Sequence, residues 1–140
     1  MRIIGFNLTK ILVERQEEDK LGIQVNQNIN ITGVSEEKIP ISDDKALKIK
    51  FNLTVTYSQD FGKIEFEGNI LTLPNDEEFK SLIDTWKDRK IPENMKFGIF
   101  NFIMNKCNVK ALHLEDEMGM PLHIPMPRLS KELKKKEETS

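Results

Sequence analysis

The chain has 140 residues, 38% of them hydrophobic and 31% charged, with a formal net charge of -2. Those values describe one soluble globular domain, long enough to bury a core without metal or disulfide support, and they argue against a disordered or membrane-embedded chain. With 21 Lys and Arg against 23 Asp and Glu, and basic clustering only near the C-terminal end, the phosphate contacts that a nucleic-acid partner needs are missing.

The opening segment MRIIGFNLTKILVERQ lacks the long apolar run and small-residue cleavage site of a signal peptide, and no segment is apolar for long enough to span a bilayer. A cytoplasmic location is expected, and the single Cys107, which has no internal disulfide partner, fits a reducing compartment. Asn7-Leu-Thr9, Asn30-Ile-Thr32 and Asn52-Leu-Thr54 are then chance sequons on strand faces.

Ile3 to Arg15 reads as a strand whose apolar phase slips from even to odd positions between Leu8 and Ile11, which predicts a β-bulge near Thr9. Ile23, Val25, Ile29 and Ile31 alternate with amides and Thr32 in the period-two pattern of a second strand with one wet face. Gly33 to Lys45, carrying Ser, Glu, Asp and Pro40, reads as a loop. In the third strand Leu47, Ile49, Phe51, Leu53, Val55 and Tyr57 share a face. Ser58 to Gly62 turns the chain, and Lys63 to Leu73 returns with Ile64, Phe66 and Ile70 inward. Four consecutive strands with short links predict an antiparallel meander.

After Pro74 the period changes to 3.6. Asn75 is placed to cap a helix with Glu78 three residues on, and Phe79, Leu82, Ile83 and Trp86 form its apolar stripe. Ile91-Pro92 breaks the chain and opens a second helix over Pro92 to Asn108. Its polar or small stripe is narrow: Asn94, Gly98, Asn101, Asn105 and Asn108. Met95, Phe97, Ile99, Phe100, Phe102, Ile103, Met104 and Cys107 occupy the rest, more apolar circumference than one sheet covers. A second subunit or an apolar ligand is expected to cover the remainder, with Phe97, Phe100, Met104 and Cys107 as candidate oligomer contacts. Val109 to Glu115 reads as a short strand or extended cover, and prolines 121, 125 and 127 hold Met118 to Leu129 out of a helix. The expected fold is α+β, a four-stranded antiparallel meander sheet followed by helices on one face, forming one domain over residues 1–129 with a charged tail over 130–140.

This order of elements, the segment IPENMKFGIFNFIMNKC leading into the apolar helix and the extended GMPLHIPMPRL near the end resemble the SecB family of protein-export chaperones. The resemblance covers roughly Met1 to Leu129. It implies an oligomer, a dimer or a tetramer built as a dimer of dimers, whose apolar grooves hold unfolded polypeptide clients with no ATP and no metal cofactor. Promiscuous contact suits thioethers and aromatics. Trp86, Met118, Met120, Leu122, Ile124 and Met126 are accordingly the candidate client-binding residues. The chain departs from the family where members meet the SecA motor: the outer strand faces carry amides, Thr and Lys in place of carboxylates, and the tail mixes Lys with Glu. Docking to such a motor is therefore not expected.

No catalytic set stands against this reading. His113 and His123 with Glu115, Asp116 and Glu117 lack HExxH or CxxC spacing and read as solvated surface rather than a metal site. Cys107 has no neighbouring base, and the glycines form no phosphate-cradling loop. Glu65 and Glu67 share a strand face, where Lys48 and Lys50 are expected to offset their charge. The alternative to a holdase is a carrier of a small apolar ligand, its pocket between helix and sheet.

Overall fold

The strand with the cleanest alternation lies inside the sheet. In a computed structural model that describes residues 1–39 and 45–127, Leu47, Ile49, Phe51, Leu53, Val55 and Tyr57 are all buried on one face of β3 (Lys45–Tyr57). β2 (Val25–Lys38) pairs with it on one side and β4 (Gly62–Leu73) on the other, while β1 (Arg2–Arg15) pairs with β4, and every pairing is antiparallel. The α+β class is as expected, with α1 (Asp76–Trp86) and α2 (Glu93–Met118) following the sheet.

The order β1-β4-β3-β2 corrects the simple meander: β2, β3 and β4 form one, but β1 lies beside β4, a Greek-key arrangement. The segment joining β1 to β2 crosses the end of the β3–β4 hairpin and bonds to it. Gln16 N–H donates to the Phe61 carbonyl at 2.7 Å, and Ser58 N–H donates to the Gln24 carbonyl at 2.9 Å. These bonds satisfy backbone groups that a free crossing would leave to water.

The expected bulge in β1 is present, since the register against β4 shifts between Leu8 and Lys10. Phe6 and Leu8 before it, and Ile11 and Val13 after it, therefore oppose the inward residues Ile70, Gly68, Phe66 and Ile64. The bare Gly68 makes room for its neighbours, because a Cβ there would stand 2.3 Å from the Asn7 carbonyl oxygen and 3.1 Å from the Phe51 ring. Residues 33–38 are strand rather than loop: β2 shifts register between Ile31 and Gly33 and continues to Lys38, with Val34 packed on the core and Glu37 3.5 Å from Lys48. The rest of the expected loop is described at Ile39 and again from Lys45, and residues 40–44 between them lie outside the described ones.

Helix α1 opens with the expected capping box: Asn75 Oδ1 accepts from Glu78 N–H at 2.8 Å and Glu78 Oε1 accepts from Asn75 N–H at 3.0 Å. α2 is longer than expected. Val109 to Glu115 is neither strand nor extended cover but its last turns, because no glycine or proline intervenes between Gly98 and Gly119. Gly119, at φ 63°, ends the helix in the left-handed conformation, and Met120 N–H donates to the Glu115 carbonyl at 2.8 Å as a Schellman cap. Met95, Ile99, Ile103, Cys107, Ala111 and Glu115, each four residues apart, form the buried ridge of α2.

Candidate functional site

Three elements leave an open trough at the side of the sheet. Its walls are Ile29 to Ile31 of β2, Thr85 and Trp86 at the end of α1, the connection Arg89 to Pro92, and Glu93, Lys96 and Phe100 in the first turns of α2. The hollow measures about 640 Å³. Ile29, Ile31, Trp86, Ile91 and Phe100 are half-buried, as residues lining a surface groove must be. Among the described residues β2 is an outer strand of the sheet, so the trough runs beside a backbone edge with no partner strand there. Two cations stand on its aromatic floor: Arg89 lies 5.1 Å from the Trp86 ring centre and Lys96 5.9 Å from that of Phe100.

The segment after Gly119 forms a strap held by a buried polar chain. Tyr57 Oη lies 2.6 Å from Glu115 Oε2 and 2.7 Å from the Pro121 carbonyl. His123 Nδ1 lies 2.8 Å from Glu115 Oε1, and His123 Nε2 lies 2.9 Å from Asn108 Oδ1. Asn108 also accepts from Gln27 Nε2 at 2.7 Å, which ties the chain back to β2. The side chains of Glu115 and His123 are closed to solvent. Burial pushes the Tyr57 hydroxyl well above the ordinary tyrosine range, aided by its bond to Glu115. At the same end Arg15 donates to the Met118 and Gly119 carbonyls at 3.0 and 3.1 Å while stacking on Phe61. Anchored in this way, the strap is fixed to the sheet even though Leu122 and Met126 face solvent.

The structure divides the expected site residues. Trp86 and Phe100 meet in the trough; Met118, Leu122 and Met126 are exposed and Ile124 is half-buried on the strap, away from it. Met120 is corrected, being buried in the hydrophobic core. Cys107 is corrected as an oligomer contact, because its own sheet covers it completely, and burial pushes its thiol up to about 11. Phe97 is 74% exposed and Met104 half-buried, so the outer side of α2 keeps the apolar surface expected of it, joined by Val109 at 70%.

His123 and Glu115 overturn the reading of the His and carboxylate cluster as solvated surface, whereas His113 does lie outside, 3.1 Å from Glu117. Continuing the four-residue ridge of α2 past Cys107 and Ala111 would have found Glu115. Lys48 and Lys50 do not face Glu65; Lys10 does, at 2.8 Å, with Asn52 bridging to Glu65 and Glu67. Among the described residues, no three His, Cys, Asp or Glu side chains converge as metal ligands, and no helix is long and apolar enough to cross a membrane. Between α2 and the sheet, where the carrier reading expects its pocket, Phe51, Phe66, Ile99 and Ile103 are buried in the hydrophobic core.

By sequence, no protein-family model and no curated protein matches the chain. By structure, it is similar to the SecB-like chaperone of Mycobacterium tuberculosis, solved in complex with a ChAD peptide from the HigA1 antitoxin. The TM-score is 0.49 and the identity 16%, over 93% of this chain and 91% of that one. At that distance the function rests on this chain's own residues.

Proposed function

We propose that the protein is an ATP-independent, polypeptide-binding protein of the holdase type, which holds extended unfolded segments in the trough between β2, α1 and α2. The observation that carries this reading is the coincidence of a trough with an apolar floor and a strand edge that is unpartnered among the described residues. A strand added to that edge gains main-chain hydrogen bonds that ignore sequence, while Ile29, Ile31, Trp86, Ile91 and Phe100 receive alternate side chains. Binding to unfolded chains alone draws on their folding equilibrium by mass action and needs no nucleotide. Catalysis is not part of this reading, and Cys107, Glu115 and His123 are sealed from solvent.

Phe97 and Val109 on the outer side of α2 suit a subunit contact, so the protein acts as a homo-oligomer, in the cytoplasm. The test is aggregation of a chemically unfolded protein after dilution. Stoichiometric amounts of this protein, without ATP, suppress the light-scattering rise; an unchanged rise at several-fold excess overturns the proposal.

A further inference from the structure

The trough is not electrically neutral. Arg89, Lys90 and Lys96 line it against a single carboxylate, Glu93, in a chain whose formal net charge is -2. Among the described residues, none of these four forms an ion pair, although neighbouring Lys87 pairs with Asp84 at 3.6 Å. Arg89 and Lys96 stand against the faces of Trp86 and Phe100, which fixes positive charge at the same two points where the floor is most apolar.

We infer that the trough selects extended segments in which carboxylates alternate with aromatic or branched aliphatic residues. This rests on the polypeptide-binding reading and names its substrate class. A strand laid along β2 alternates its side chains at period two. When the apolar set packs among Ile29, Ile31, Trp86, Ile91 and Phe100, the charged set is left to the cations that stand over the Trp86 and Phe100 faces. Carboxylates meet Arg89, Lys90 and Lys96, while lysines in the same positions meet like charge, so the trough discriminates by attraction and by repulsion. The chain's own residues 128–140 carry five cations, Arg128, Lys131, Lys134, Lys135 and Lys136, against three glutamates, the wrong sign for this trough.

Three fluorescein-labelled peptides test this, sharing an alternating Phe/Ile frame with Glu, Gln or Lys in the polar positions and read by anisotropy against the full chain. The Glu peptide binds about tenfold more tightly than the Lys peptide at low ionic strength, a preference that shrinks as salt is added. The double variant Arg89→Glu, Lys96→Glu, whose changes lie on the exposed Arg89 and the half-buried Lys96, reverses the order. Equal affinity of the Glu and Lys peptides at every salt concentration overturns the charge selection while leaving polypeptide binding intact. Failure of all three to bind removes the trough as a polypeptide site, and the selection with it.

Discussion

Among the described residues, a glutamate and a histidine closed to solvent at the end of α2 are held by each other, Tyr57, Asn108 and a backbone group of the strap. Removing one member strands the rest, so Glu115→Ala is expected to cost about 3 kcal/mol in urea unfolding, the size typical of breaking a buried polar pair. A loss below half of that shows the network to be dispensable. Tyr57 adds a pH dependence. Its proton is held more tightly in the folded chain than in the unfolded one, so its contribution is complete below the ordinary tyrosine range and is lost as pH rises beyond about 10. Tyr57→Phe removes that alkaline decline in unfolding free energy. At this scale the sequence was least legible. Glu115 and His123 sit in a stretch dense with Asp and Glu, and only the helical ridge beneath them, hidden by reading the helix as ended at Asn108, marks one of them as buried.

Elements were more legible because burial patterns repeat along them. The bulge near Thr9 showed itself as a phase slip, and the cap of α1 as Asn75 and Glu78 at the right spacing. Strand order was not written in the same way, since β1 presents similar alternation to β2 and to β4, and the choice is made by the link that clasps the β3–β4 turn. The end of β2 was obscured by Gly33, which marks a bulge there and not a stop. For α2, the prediction concerns its outer side. Phe97→Asp is expected to lower the native mass to the monomer's 16.3 kDa while leaving the helix content by circular dichroism unchanged, since Phe97 is exposed within the subunit. A native mass already at that value in the unaltered protein rejects the oligomer.

For the molecule as a whole, the sheet supplies rigidity on one face, the strap seals one end, and the open side beside β2 is left for binding. The junction of α1 and α2 lies against Ile29 to Ile31 of β2, and there the trough opens. The chain holds one tryptophan, Trp86, and it lies on the floor of the trough. Its fluorescence therefore reports on that place alone. Titration with a tryptophan-free unfolded client should shift the emission of Trp86 to shorter wavelength as water leaves the trough, saturating with the same Kd as anisotropy of the labelled client. A client that binds by anisotropy while the Trp86 spectrum stays unchanged would contradict the trough as the binding site.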